Sequence, residues 1–222
     1  MELSEAVHRR RMVRHYDSQR PVPKVTLLAC LRAATRAPSA GFSQGWDFVV
    51  LQDKQRWAFW DAAVPADQTH EPPDRWLTGM RTAPVLVVCA SDPARYAARY
   101  AETDKSTTGH RAHDRDPSTW PIPYWDVDTG MAALLIMLTA LDHGLGSCFF
   151  GVPPGAHDPV KAALGIPARR RLVGVVSLGY AAPEAADPVR RRRSPGRPIR
   201  RSLDDVTHWG HFGRLSPPDP VA

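Results

Sequence analysis

The sequence predicts an α+β protein in which one sheet is layered with helices. Three observations carry this expectation. Ala83 to Ala90 and Leu172 to Leu178 are continuous apolar runs of strand length, the pattern of strands covered on both faces. Val127 to His143 is apolar nearly all round, and Gly144 follows where a C-terminal cap favours glycine; this predicts a long buried helix. The remaining segments complete the order helices, strand, helix, strand, long helix, strand, helix, strand, which suits a layered sheet.

Each element has its own local signal. Residues 1–16 predict a helix leading into an arginine cluster, and Pro21 and Pro23 mark an extended link. Lys24 to Arg36 carries Leu27, Leu28, Leu31 and Ala34 at helical spacing, and Pro38 ends that helix. Trp46 to Leu51 is aromatic and β-branched, hence a short strand. Gln55 to Ala63 predicts a helix, and Pro65 to Pro73 a loop. Thr103 to Trp120 is charged and without periodicity, so it is expected to be a mobile loop or lid. Asp158-Pro159 offers an N-cap and a first-turn proline, with Gly165 closing a short helix. No internal repeat is present.

Composition narrows the class. The chain has 222 residues, which suits a single domain over 1–222 or one intertwined protomer. Cys30, Cys89 and Cys148 are odd in number and widely spaced. That argues against a disulfide framework or a zinc cluster and for a reducing cytoplasm. No secretory signal is read at the N-terminus. The longest apolar run, Met131 to Leu138, falls short of the ~20 residues that cross a bilayer, so no membrane partner is expected. The net charge is +6, and seven arginines fall between Arg190 and Arg201. Such a run suits nucleic acid or an anionic surface, or a solvated segment within an Arg/Pro-rich extension over 182–222.

Four motifs could carry chemistry. Arg10, Arg11 and Arg14 cluster before Tyr16; guanidinium groups are always charged and present forked donors to phosphate. Ala-Pro-Ser-Ala-Gly, from Ala37 to Gly41, is a turn whose small residues let backbone amides approach a flat ligand, although it is equally a helix stop. Gly144-Leu-Gly-Ser-Cys-Phe-Phe-Gly151 follows a helix and is no dinucleotide fingerprint. Trp120, Tyr124 and Trp125 cluster before the long helix beside Asp126 and Asp128; they can stack on a planar acceptor or simply form core. Cys148 has no His or Asp at a supporting spacing and reads as a structural thiol. His110, His113, Asp114 and Asp116 lie in a polar loop without a helical frame, so no metal site is expected.

In the order of these pieces the chain resembles the FMN-dependent nitroreductase family. Its members typically read R-R-S-[IV]-R-x-[FY], then P-V-P, then A-P-S-x-x-N-x-Q-P-W. The matching stretches are Arg10 to Tyr16, Pro21 to Pro23, Ala37 to Trp46, Gly144 to Ser147, Val173 to Gly179 and Leu203 to Trp209, so the resemblance spans nearly the whole chain. It implies a nitroreductase-like sheet layered with helices and an intertwined homodimer whose C-terminal extension wraps the partner. It also implies an FMN whose phosphate is held by Arg10, Arg11, Met12 and Arg14 with Arg197 and Arg200. The turn residues Pro38, Ser39, Ala40 and Gln44 and the loop residues Gly146 and Ser147 would lie at the flavin. Phe42, Trp120, Tyr124 and Trp125 would border the substrate. Three positions depart from the family pattern: Met12 replaces a hydrogen-bonding serine, Phe42 an asparagine, and Gly45 a proline.

The implied activity is an FMN-dependent oxidoreductase that uses NAD(P)H to reduce nitroaromatic, quinone or similar conjugated acceptors by a ping-pong mechanism. The flavin carries the hydride, and no catalytic side chain is assigned. Two other readings accompany it: a flavin-dependent dehydrogenase of a biosynthetic intermediate or a deazaflavin-using reductase, and a non-enzymatic basic binding protein engaging nucleic acid through Arg190–Arg201. A nucleic-acid partner is not expected under the first.

Overall fold

The computed structural model describes residues 1–64, 74–106, 116–183 and 200–215. The chain forms two compact units, Met1–Asp187 and Pro188–Ala222. Among the described residues of the first unit, four strands make one antiparallel sheet: β1 (Trp46–Gln52), β2 (Val85–Ser91), β3 (Gly146–Phe150) and β4 (Arg171–Gly179), in the order β1-β2-β4-β3.

The apolar run in β2 is buried along its whole length. Successive strand side chains point to opposite faces, so a strand without polar positions needs cover on both. Leu86, Val88 and Ala90 join a core with Phe59, Trp60 and Tyr16. Val85, Val87 and Cys89 join a second core with Leu27, Cys30, Ala132, Ile136 and Ala140. A register shift between Cys89 and Ala90 lets Leu172 and Val175 of β4 reach the same face, as a bulge does by inserting one residue.

Helices supply the two layers. α1 (Leu3–Arg9) and α2 (Lys24–Ala34) come first, followed by α3 (Gln55–Ala63). The next two are α4 (Arg75–Met80) and α5 (Pro93–Tyr100), each begun by an aspartate whose carboxylate accepts backbone N–H groups. Asp74 takes Trp76 N–H at 2.8 Å and Asp92 takes Ala94 N–H at 3.1 Å. A single turn, α6 (Thr103–Ser106), precedes α7 (Tyr124–Asp142) and α8 (His157–Ala163). α7 packs on α2 and on the sheet through Ala132, Ile136 and Ala140. Gly144 follows α7 at φ 75°, a left-handed residue that closes the last turn.

Four expectations need correction. The first helix ends at Arg9 rather than Tyr16, because residues 12–16 give their backbone groups to the sheet edge. Asp158 does not cap α8: the helix starts at His157, directly after a 3-10 turn over Pro154–Ala156, and Asp158 pairs with Lys161 at 2.7 Å. α7 begins at Tyr124, three residues before Val127. It is also not buried all round, since Val127 is 45% and Leu134 46% exposed; that side faces away from the sheet. The loop of 65–73 and the middle of 103–120, at 107–115, lie outside the described residues. The described ends of the latter form α6 and a 3-10 turn, Pro117–Thr119, capped by Asp116.

Among the described residues of the second unit, Ser202 and Asp205 exchange backbone–side-chain hydrogen bonds at 3.1 Å. Trp209 N–H bonds Arg214 O at 2.8 Å.

The buried thiols and phenols make this fold sensitive to base. Burial pushes Cys30 up to about 11 and Cys89 up to about 12 from an ordinary 9.0. Burial also raises the Tyr16 and Tyr96 phenols. Above pH 9 the unfolded chain loses thiol protons that the folded chain keeps. Stability is therefore full below that pH and declines as pH rises through the folded values. We expect the unfolding temperature, followed by circular dichroism, to fall steadily from pH 9 towards pH 11, and to fall less steeply in Cys89→Ala. A temperature independent of pH over this range contradicts the assignment.

Candidate active site

The arginine segment is held in place by the edge of β3. Beyond Arg9 the chain is extended: Met12 forms a parallel bridge with Ser147, and Val13 N–H donates to Ser147 O at 2.9 Å. Further along, Tyr16 bridges Ala181, and its hydroxyl donates to Val13 O at 2.6 Å and shares a 2.7 Å hydrogen bond with Ser177 Oγ. Close approach needs glycine at two points. A Cβ on Gly146 would lie 2.7 Å from Val13 Cγ2, and one on Gly79 would strike the Arg14 carbonyl oxygen. The N-terminal arginines and the Gly144–Gly151 segment, distant in sequence, are thus one structural site.

The charges in this site suit an anion. Arg10 Nη1 is buried and has no hydrogen-bond partner among the described residues. A buried guanidinium nitrogen left unpaired is costly, and a phosphate oxygen answers that need with a charge-assisted bond. Arg11 and Arg14 are exposed on the same strap. Met12 is also exposed, and its thioether donates no hydrogen bond. Cys148 lies inward, its thiol pushed up by burial while the Arg14 guanidinium beside it acts the other way. It is a buried thiol and no nucleophile. These residues fit an FMN phosphate.

The turn after α2 is a second structure, built against α5 and α7. Gly41 (φ 61°), Phe42 (φ 59°) and Gln44 (φ 50°) are all left-handed, a conformation that costs a side-chain-bearing residue about 1–2 kcal/mol. Ser39 Oγ accepts Gln44 N–H at 3.0 Å, and Ser43 Oγ donates to Ala40 O at 2.7 Å. Pro38 is exposed and Ala40 half-buried. Phe42 is 74% exposed, an aromatic ring presented to solvent on a strained backbone. Such clusters of strain persist only where surrounding contacts enforce them, and they concentrate at functional sites.

The aromatic residues lie next to this turn. Trp120 meets Tyr124 at 6.1 Å and Trp125 at 5.7 Å between ring centroids. Trp125 is only 6% exposed and packs edge-on to Tyr96 at 6.0 Å. It is therefore core, whereas Tyr124 keeps an exposed edge. Tyr96 and Tyr100, which sequence reasoning missed, join Trp120 at 6.3 and 5.0 Å; their signal was the Asp92-Pro93 helix start. Asp128, in sequence only a neighbour of the tryptophan, is buried and bonded to the turn. Arg200 is exposed at the start of the described part of the second unit. Arg197 lies outside the described residues, as do His110, His113 and Asp114.

Comparison with known proteins bears on the fold and the family. An NADH dehydrogenase of Thermus thermophilus is 31% identical over 202 residues, covering 83% of this chain and 89% of its own. A 5,6-dimethylbenzimidazole synthase of Rhodospirillum rubrum is 30% identical over 184 residues, covering 77% and 78%. The crystal structure of an FMN and NADPH-dependent nitroreductase from sphigopyxis sp. strain HMH superposes with a TM-score of 0.67 at 23% identity, covering 96% of this chain and all of that one. The Nitroreductase family profile matches residues 7–180, from the helix before the arginine strap to the strand that closes it, and the chain belongs to the nitroreductase family.

Proposed function

We propose that the protein is an FMN-dependent oxidoreductase that takes reducing equivalents from NAD(P)H and delivers them to a nitroaromatic, quinone or similar conjugated acceptor, the two substrates using one pocket in turn. The observation that carries this reading is the unpaired, buried Arg10 Nη1 on a strap fixed against Gly146 and Ser147. When bound, FMN supplies the hydride chemistry. The chain's own residues bind and orient. Arg10, Arg11 and Arg14 neutralise the phosphate, joined by Arg197 and Arg200 from the C-terminal extension. Gly146 and Ser147 set the strap beside the ring, while Pro38, Ser39, Ala40 and Gln44 shape the turn at the flavin. Phe42, Trp120, Tyr124 and Trp125 border the acceptor, with Trp125 as the buried support for the other rings. No side chain is assigned a proton-transfer role. Replacing Arg10 and Arg11 with alanine should weaken FMN binding by about 3–6 kcal/mol, since hydrogen bonds to charged groups contribute ~1.5–3 kcal/mol each. Flavin fluorescence titration measures this, and unchanged affinity would sink the phosphate assignment.

The same reading extends to assembly as a homodimer. Within one protomer the contacts gather the site residues into two groups, the arginine strap with β3 and the Ser39–Gln44 turn with the aromatic rings. The exposed apolar side of α7, with Val127 and Leu134, adjoins exposed Val25 and Leu28 on α2 and Leu3 and Val7 on α1. An apolar face of this kind favours burial against a partner. A homodimer brings the turn of one protomer to the strap of the other. Light scattering at micromolar concentration should give twice the chain mass; an FMN-loaded monomer contradicts the dimer.

The benzimidazole synthase relative favours a second reading, oxidation of a biosynthetic intermediate. The fold admits either a nicotinamide or a deazaflavin reductant. Anaerobic stopped-flow separates them: rapid bleaching of the oxidised flavin absorption by NADH or NADPH supports the first reading, and bleaching only by a reduced deazaflavin or by an organic donor replaces it. A colourless protein that takes up no flavin and binds nucleic acid supports the basic binding reading instead.

A further inference from the structure

The turn Ser39–Gln44 is gripped from two sides by side chains to which no role has been given. Asp128 of α7 is 2% exposed. Its Oδ2 accepts Ala40 N–H at 2.8 Å and the Tyr96 hydroxyl at 2.7 Å. Both donors are neutral, and a carboxylate is an expensive group to bury for a fold that needs only an acceptor. From α5, Arg99 donates Nε–H to the Gly41 carbonyl at 2.8 Å. The rest of its guanidinium is fixed by carboxylates: Nη1 and Nη2 meet Asp104 at 2.7 Å each, and Nη1 meets Glu102 at 2.8 Å.

Backbone groups of two consecutive residues, Ala40 N–H and Gly41 C=O, are therefore held by different helices. Between and beyond them lie three left-handed residues, two of which carry side chains. The rings of Tyr96 and Tyr100 fill the space beneath: a Cβ on Gly41 would lie 2.8 Å from the Tyr100 ring, and one on Gly45 would strike Tyr96. A backbone in this conformation relaxes unless it is over-determined. The clamp supplies that determination and presents Phe42 outward.

We propose that Asp128 and Arg99 are positioning residues that lock this turn in the geometry in which it meets the flavin. The proposal rests on the reading that FMN is the cofactor. It predicts that loosening either arm weakens the cofactor site without unfolding the protein.

The experiment uses full-length Arg99→Met, Asp128→Ala and Asp128→Asn, with Arg10→Ala/Arg11→Ala as a reference. Three quantities are read: amide hydrogen exchange of the peptide covering Ala40–Gln44 without flavin, FMN affinity by fluorescence, and thermal unfolding. Loss of one hydrogen bond to a charged partner should speed exchange about tenfold and weaken FMN by a similar factor. Arg99→Met, at a half-buried position, should do both at a nearly unchanged unfolding temperature. Asp128→Asn keeps an acceptor of the same shape and should restore most of what Asp128→Ala loses. If Asp128→Ala fails to fold, Arg99→Met and Asp128→Asn still decide. Unchanged exchange in Arg99→Met overturns the clamp. Faster exchange with unchanged FMN affinity, while the arginine pair variant loses FMN, overturns the positioning role and leaves the cofactor reading standing. Unchanged affinity in the arginine variant as well overturns that reading, and the positioning role with it.

Discussion

Every side chain of β2 is shut away from water, and a strand closed on both faces dictates what surrounds it. One layer must supply large rings, and Phe59 and Trp60 from α3 do so. The other must admit a long helix at close range, which explains the small residues Ala132 and Ala140 on the inward side of α7. Antiparallel sheets commonly leave one face to solvent; this one does not. With both faces occupied, the arginine strap finds its place at a sheet edge.

The edge at β3 is where the chain uses that freedom. An unpaired edge offers backbone donors and acceptors to any extended segment. Met12 and Val13 take that edge at Ser147, Tyr16 bridges Ala181 beyond β4, and the hydroxyls of Tyr16 and Ser177 bond each other beneath the strap. Arg10 sits at the C-terminal end of α1, its N–H bonded to Ala6 O, and Arg11 and Arg14 flank the residues bonded to the sheet. Backbone held on both sides of the cluster limits the arrangements it samples, so less ordering remains to be done when an anion binds.

The element pattern was legible because burial writes itself into composition. The β2 and β4 runs, the α7 run and the α3 boundaries could all be read directly. What could not be read was decided by contacts between distant residues. Nothing local tells Val13 that it will bond Ser147, so residues 10–16 looked like more helix. α4 and α5 are hard to read because Arg75–Met80 is short and Pro93–Tyr100 has no Leu, Ile, Val or Met to mark an apolar face, although Asp92-Pro93 is a fair helix-start signal. The motif positions were legible through family resemblance, but their grouping was not. Trp125 and Tyr124 are neighbours in sequence and opposite in exposure, since the first turn of α7 points one inward and the other out. Asp128 is silent in sequence: an aspartate in an apolar helix, two residues from Asp126, has meaning only once Ala40 is placed against it.

The strap has a consequence for how the molecule comes into being. Tyr16 and Ser177 are 161 positions apart, yet they share a buried hydrogen bond. Synthesis proceeds from the N-terminus at roughly 5–20 residues per second, so the arginine strap waits unpaired while nearly the whole first unit is made. Contacts of such long range form late and slow the search for the native state. Any phosphate-binding capacity of the strap should accordingly arise at the very end of assembly, after the sheet has closed, and a nascent chain lacking β4 should carry the arginines without the ability to arrange them.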